Sequence, residues 1–443
     1  MHLTKANRAH PYSSFCFLSK KREQLYCCFK FSLQGTAEVR HAIVLAPICT
    51  FLSLYICATP AFAEVKASLS ADVLHDSNIF RVSDQLSQAE GIKRDDTLMT
   101  IQGEANASVN AGQTAIALDA RIGHAWYVTN DKLKNFNYDA DLAITKTNES
   151  FLTYDLHARA EQRLTPFEDL GIPVRNLQRV QHFFGRTTLA ITPEFRAVVF
   201  PEYLRSTNAN AAFRGNDFRQ YGAGLGVGYF SPLGNSISFS IARSYTKGLH
   251  DRLVSEGGVT INAPIDFRDT SYDVRIEYSP SVLTKIDAVL SYVDRNNKSV
   301  GGRNYSGPAG SVSVTYHPHD RLQAVATVGR RLDSQSYIYV ETIRNDYASL
   351  GATLALSENM RLGANADYYH RKFTGSPLVP GNPTSLRDST YRFSAFLEQR
   401  LFDRLRLKVT GQHERRHADD PLFSYTSTSI QLSAVVAFGA MDR

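Results

Sequence analysis

The sequence predicts an all-β protein, a transmembrane antiparallel β-barrel of about 18 strands, with about 16 to 18 as the expected range. Three observations predict this fold. Segments of about ten to fourteen residues alternate apolar and polar side chains. Short connections between these segments alternate with long ones, and a segment with the form of a secretory signal precedes them all.

That leader occupies residues 1–63. An apolar run follows Arg40 and His41 and ends at Ala61-Phe62-Ala63, a small-x-small cleavage pattern. We expect cleavage after Ala63, which leaves residues 64–443 as one barrel domain; a retained signal anchor is the alternative. All five cysteines lie in the leader, which excludes a disulfide scaffold or a cysteine metal site in residues 64–443.

Charge argues against nucleic-acid binding. Seven of the 49 Lys and Arg residues and two of the 43 Asp and Glu residues lie in residues 1–63. Residues 64–443 therefore have a net charge of only +1. A domain that binds nucleic acid electrostatically is usually strongly basic.

Alternation is clear in 271–278, where Tyr272, Val274, Ile276 and Tyr278 interleave with polar residues. A period of two means that each face of a strand meets a different environment. The predicted strands are 65–75, 96–110, 114–128, 136–148, 150–163, 181–192, 195–208, 217–230, 235–248, 267–279, 284–296, 305–317, 321–333, 344–357, 360–372, 388–400, 404–416 and 423–438.

The connections also fit a barrel. Short links such as 111–113, Glu149 and 358–359 alternate with long ones such as 164–180 and 249–266. Outer-membrane barrels have short periplasmic turns and long extracellular loops. A soluble β-sandwich would alternate too, but the predicted strands reach the length needed to cross a bilayer, and their second face carries many charges.

The chain has 22 tyrosines, 25 phenylalanines and a single tryptophan, and aromatic residues cluster near predicted strand ends, as in Trp126-Tyr127 and Tyr368-Tyr369. Aromatic girdles at the two membrane interfaces would give this pattern. Cross-strand aromatic pairs would explain it nearly as well.

After a first strand, the chain reads Asp76-Ser77-Asn78-Ile79-Phe80-Arg81, and Arg94-Asp95-Asp96-Thr97 opens the next strand. This arrangement resembles the EpsL-type family of outer-membrane β-barrels, which are associated with exopolysaccharide biosynthesis. The resemblance covers essentially all of residues 64–443. It implies export of exopolysaccharide across the outer membrane, and it brings no catalytic residues.

If the apolar face meets lipid, the polar face lines the lumen. The lumen-facing candidates are Asp273, Arg275, Glu277, Arg361, Asp367, Arg371, Arg392, Arg400, Arg404, Arg406, Lys408, Gly222, Gly224, Gly226 and Gly228. The last strands are especially basic, with Arg415 and Arg416 added to this set. Such a wall would attract an anionic polymer. Alternatively, and in our view more simply, arginines and carboxylates on neighbouring strands pair and brace the barrel.

Gly222, Gly224, Gly226 and Gly228 occupy every second position of one predicted strand. Four missing side chains would allow a loop or substrate to approach the wall closely. Relief of crowding in a curved sheet is the equal alternative.

Motifs for an enzyme are weak. His317-Pro318-His319-Asp320 fits a turn better than a metal site, and no serine stands in a nucleophile elbow. We therefore expect a non-enzyme without cofactors, located in the cell outer membrane. Its expected partners are outer-membrane lipid, the barrel assembly machinery, exopolysaccharide, and periplasmic or inner-membrane export proteins. A general solute porin, or a structural or adhesive barrel with an occluded lumen, is the alternative function.

Overall fold

The computed structural model describes residues 64–146, 151–167, 174–256, 259–264, 266–298, 304–333, 342–374 and 385–438. The predicted leader, with Ala61 and Ala63, and the predicted turn at Glu149 lie outside these residues. The strands are β1 (Glu64–Asp76), β2 (Asp96–Ala111), β3 (Thr114–Tyr127), β4 (Asn135–Lys146), β5 (Leu152–Leu164), β6 (Leu177–Ala190), β7 (Phe195–Asn208), β8 (Phe218–Phe230), β9 (Ser236–Gly248), β10 (Arg252–Glu256), β11 (Val259–Ala263), β12 (Asp266–Ser281), β13 (Thr284–Asn297), β14 (Tyr305–His319), β15 (Leu322–Asp333), β16 (Thr342–Ser357), β17 (Met360–Thr374), β18 (Ser385–Leu401), β19 (Leu405–Ala418) and β20 (Tyr425–Phe438).

The main sheet closes on itself. Consecutive strands pair antiparallel, β9 pairs with β12, and β1 pairs with both β2 and β20. The result is a closed antiparallel barrel of 18 strands, as predicted. Closure gives every strand two neighbours, so the sheet has no free edge.

The two faces of the wall differ sharply. Directly opposed residues Glu104, Arg121, Asp139 and Glu161 of β2 to β5 lie on the inner face. On the outer face, Leu225, Ile241, Tyr272 and Tyr292 of β8, β9, β12 and β13 form an opposed row and are 67%, 56%, 51% and 50% exposed. Apolar side chains around a closed wall with this exposure require a hydrocarbon environment, because exposure to water is unfavourable.

The barrel has two unlike ends. At the short-turn end, defined by connections such as 112–113, 282–283 and 358–359, strands are joined by tight turns. At the long-loop end, defined by connections such as 77–95 and 209–217, longer segments join the strands. The predicted alternation of short and long connections is therefore confirmed.

Three kinds of loop structure were not predicted. Helix α1 (Asp84–Glu90) begins at Ser83, whose hydroxyl accepts a hydrogen bond from the Leu86 N–H at 3.1 Å, and ends at Gly91 in the left-handed conformation. Strands β10 and β11 form a separate hairpin. Short 3-10 turns occupy Asp131–Leu133, Ala211–Asn216 and Pro421–Phe423. Within the described ranges, no helix has the length and apolar character needed to span a bilayer.

Candidate functional site

A cavity of about 670 Å³ lies against the inner wall formed by β6 to β9 and β12 to β16. Its lining is rich in hydroxyl groups, with serines contributed by four adjacent strands. These serines are Ser238, Ser240, Ser244, Ser271, Ser291 and Ser311. Small hydroxylated side chains leave space and offer both donors and acceptors, which suits a solute that carries hydroxyl groups.

Charged groups are interspersed among these hydroxyls. Arg186, Glu202, Asp273 and Arg275 line the cavity. Arg186 lies within electrostatic reach of Arg275 although four strand-to-strand steps separate β6 from β12. The cavity therefore brings together charges from distant parts of the wall.

Two guanidinium groups at the cavity have unused donors. Among the described residues, neither Nε of Arg186 nor Nη1 of Arg295 has a hydrogen-bond partner, and both atoms are buried. Arg295 otherwise makes a two-point ion pair with Asp269, at 2.8 and 2.7 Å, and lies over the Phe267 ring. Leaving such buried N–H groups without a partner is unfavourable.

The strand register places the predicted lumen residues on the inner face. Asp273, Arg275 and Glu277 lie in β12, and the first two line the cavity. Their opposed neighbours continue around the barrel to Asp367 of β17 and Arg392 of β18. Further members of the same face in β17, β18 and β19 are Arg361, Arg371, Arg400, Arg406 and Lys408.

Two basic residues differ from this arrangement. Arg404 lies in the turn before β19. Arg415 was grouped with the basic lumen wall, and that assignment is wrong. It pairs with Tyr391, which is exposed on the outer face, because neighbouring residues of a strand point to opposite sides.

Bracing accounts for several of the basic residues, as one of the two interpretations predicted. Arg371 donates to Asp388 at 2.9 Å, and Arg392 donates to Glu414 at 2.7 Å. Both carboxylates are buried at the long-loop end. At the short-turn end Lys408 lies over the Phe396 ring, 4.3 Å from its centroid.

The glycine stripe of β8 is explained by its neighbouring strand. Gly222 and Gly224 line the cavity, and Gly226 and Gly228 continue the same inner face. A Cβ added at Gly226 would lie 2.6 Å from the Phe239 carbonyl oxygen and 2.8 Å from the Ser240 Cβ. The close packing of β8 against β9 therefore requires glycine at this position, in addition to any need for a solute to approach the wall.

Loops cover part of the long-loop end. Phe80, Leu133, Phe167 and Phe213 come from four different loops and form one buried apolar cluster. Two inner-face residues of β3, Ala125 and Tyr127, belong to the same cluster, so these loops fold inward against the wall. We call this cluster the loop plug. Sequence reasoning missed it, and the available signal was large aromatic residues within otherwise polar loops.

Residues 76–81, which carry part of the resemblance to the EpsL-type family, attach one loop of the plug to the barrel wall. The Asp76 carboxylate accepts hydrogen bonds from the Asn78 N–H, the Ser427 hydroxyl and the Arg81 guanidinium at 2.8, 2.6 and 2.9 Å. Asn78 in turn donates to the Val82 carbonyl at 2.8 Å. Phe80 is thereby directed into the loop plug.

Electrostatics strengthens this attachment. Burial lowers the pKa of Arg81, but the nearby Asp76 and Glu414 outweigh burial, so that the pKa is raised above its ordinary value. The Arg81 guanidinium Nε lies 3.6 Å from Glu414. Arg81 therefore remains charged and links the loop between β1 and β2 to β19.

No protein-family model matches the sequence, and no curated protein matches it. Solved outer-membrane proteins show a similar fold at low identity. OccK2 (OpdF) from Pseudomonas aeruginosa, solved in complex with glucuronate, is 9% identical with a TM-score of 0.46, covering 85% of this chain and 98% of that one. OccAB3 from Acinetobacter baumannii is 9% identical with a TM-score of 0.44, covering 85% and 99%.

The alcaligin outer-membrane receptor FauA from Bordetella pertussis is 10% identical with a TM-score of 0.41, covering 86% of this chain and 77% of that one. These three TM-scores are below 0.5. The fold described above therefore rests on the strand register of this chain.

Proposed function

We propose that the protein is an outer-membrane channel for small polar solutes that carry hydroxyl groups, whether neutral or anionic. The single observation that supports this most is the serine-rich cavity on the inner wall of a closed barrel. A barrel of this size encloses space for solutes unless loops fill it. The charged side chains of Arg186, Asp273 and Arg275 in the cavity lining favour polar solutes over apolar ones.

The Gram-negative outer membrane is the proposed location, because closed barrels with an apolar outer face are typical of that membrane. Outer-membrane lipid and the barrel assembly machinery are the corresponding partners. The long-loop end would face outward. The loop plug would then restrict passage without closing the cavity side of the lumen.

Planar-bilayer recording and liposome swelling test the proposal. We expect open-channel conductance, and faster swelling with monosaccharides than with larger oligosaccharides. Replacement of a cavity arginine, Arg275→Gln, should lower the ratio of anion to cation permeability. The matched control Arg415→Gln removes the same charge from the outer face and should leave that ratio unchanged. Absence of conductance would instead support the structural or adhesive barrel.

Export of exopolysaccharide, which the family resemblance implies, is a narrower form of this proposal. It predicts that the polymer blocks the single-channel current and that deletion of the gene abolishes surface polysaccharide. Periplasmic or inner-membrane export proteins would then be partners. Normal surface polysaccharide in the deletion strain would remove this narrower function and leave the solute channel standing.

A further inference from the structure

A row of three tyrosines crosses the outer face near the long-loop end. Tyr203 of β7 lies directly opposite Tyr221 of β8, which lies opposite Tyr245 of β9. The Tyr221 and Tyr245 ring centroids are 5.6 Å apart. Tyrosines in such a row are suited to the boundary between hydrocarbon and headgroups, since the ring is apolar and the hydroxyl is polar.

The next outward-facing position on each strand, toward the loops, is basic. Arg205 of β7 lies opposite Arg219 of β8, and Arg219 lies opposite Lys247 of β9. All three side chains are exposed. We call these three residues the basic row. Like charges directly opposite each other destabilise a sheet, so this arrangement favours an external negative charge between them.

One carboxylate of the protein, that of Asp266, lies next to the basic row. Within the described ranges, no carboxylate forms an ion pair with Arg205, Arg219 or Lys247 at 4.0 Å or less. Asp266 lies opposite Lys247 in the register, and one of its oxygens accepts the Gly248 N–H. Lys298 adds a further positive charge beside the row, with its Nζ 4.8 Å from the centroid of the Tyr245 ring.

A second basic group occupies the same end of the barrel. Arg344, Lys372 and Arg387 lie opposite one another on the outer face of β16, β17 and β18. At the short-turn end of these three strands the corresponding outer-face row is Leu354, Leu362 and Leu397. The basic residues on the outer face of these strands therefore lie in the leaflet that surrounds the long-loop end, where Arg344 also forms an ion pair with Asp346 at 3.4 Å.

We propose that the basic row binds phosphate groups of lipid headgroups in the leaflet around the long-loop end. The three tyrosines place the basic row at headgroup height. Three adjacent cations match a headgroup that carries more than one phosphate. The inference depends on the membrane location in the proposed function, but not on which solute passes through the lumen. Loss of conductance and loss of lipid binding are therefore separate outcomes.

Native mass spectrometry of the full-length protein from outer membranes, in mild detergent, tests the inference. The probes are a bis-phosphorylated disaccharide glycolipid and the same glycolipid after enzymatic removal of its phosphates. We expect the phosphorylated lipid to remain bound and the phosphate-free lipid to dissociate. Arg205→Gln, Arg219→Gln and Lys247→Gln together should lower retention at least about tenfold, because all three positive charges of the basic row are removed.

The matched control removes three inner-face or turn charges near the short-turn end, through Arg361→Gln, Arg404→Gln and Lys408→Gln. It should retain the phosphorylated lipid as wild type does. Arg205→Lys with Arg219→Lys keeps the charge and should also retain it, which separates charge from folding defects. Equal retention of both lipids by the wild type, or wild-type retention by the glutamine triple variant, would overturn the proposal.

Discussion

The Phe80 ring packs edge-on against the Phe167 ring, with centroids 4.9 Å apart and an interplanar angle of 69°. These residues lie in loops between β1 and β2 and between β5 and β6, so their contact joins two loops across the barrel mouth. Phe80 is also almost fully buried in the loop plug. The contact therefore joins two of the loops that form the plug.

Replacing Phe80 with alanine should loosen the loop plug and widen the channel. Truncation of a buried phenylalanine costs about 3–5 kcal/mol, and here that loss falls on the loops, because the barrel wall keeps its hydrogen bonds. We expect larger and noisier single-channel currents in planar bilayers, with little change in the thermal stability of the barrel. The control Phe402→Ala alters an exposed ring in a short turn. Currents like wild type for Phe80→Ala would show that the plug does not limit flow.

Replacing Glu414 with glutamine should destabilise the barrel at the long-loop end. Glu414 is 1% exposed and meets Arg392, Arg81 and the Tyr425 hydroxyl. The variant would remove one negative charge from beside both the Arg392 and the Arg81 guanidinium groups, and removing one partner of a buried ion pair typically costs about 3–5 kcal/mol. Urea unfolding in lipid vesicles measures this loss. Glu358→Gln changes an exposed turn residue and should have little effect; a similar loss in both variants would contradict the role of Glu414.

The strands of the barrel wall could be predicted from the sequence alone. A strand with one face toward lipid and the other toward water must alternate apolar and polar residues, and this pattern is visible within each segment. All 18 predicted wall strands are present, and β7 has the predicted bounds of 195–208. The loop plug could not be predicted in the same way, since Phe80, Phe167 and Phe213 are distant in sequence and meet only after the barrel closes. The ion-pair partners of Arg371 and Arg392 likewise depended on the register, which alternation alone leaves open.

Alanine should have different effects on stability at Gly226, in the glycine stripe, and at Gly103, outside it. Alanine at Gly226 would place its Cβ too close to the Phe239 carbonyl oxygen, so β8 and β9 must separate. Alanine at Gly103 of β2 would meet no atom within 4 Å. We expect Gly226→Ala to lose about 1–3 kcal/mol, as overpacked sites do, and Gly103→Ala to stay near wild type. The urea midpoint of each variant measures the difference, and equal midpoints would refute the crowding explanation.

The stability of the loop between β7 and β8 should fall as the pH rises, because of Asp217. Burial raises the pKa of this carboxyl above its ordinary value of 3.8, despite hydrogen bonds from the Asn208 backbone and side chain. A pKa raised by folding means that the folded protein binds the proton more tightly. The stabilisation is then fully present below the ordinary pKa and is lost as the pH rises through the folded pKa.

Asp217→Asn removes this titration, so the two proteins should differ in their pH dependence. Between about pH 4 and about pH 6, the free energy of unfolding of wild type relative to the variant should decrease as the pH increases. His250, whose Nε2 lies 3.6 Å from the Asp217 carboxylate, is present in both proteins. Urea unfolding at several pH values in this window gives the difference directly. A constant difference, or one that increases with pH, would show that burial does not control the protonation of Asp217.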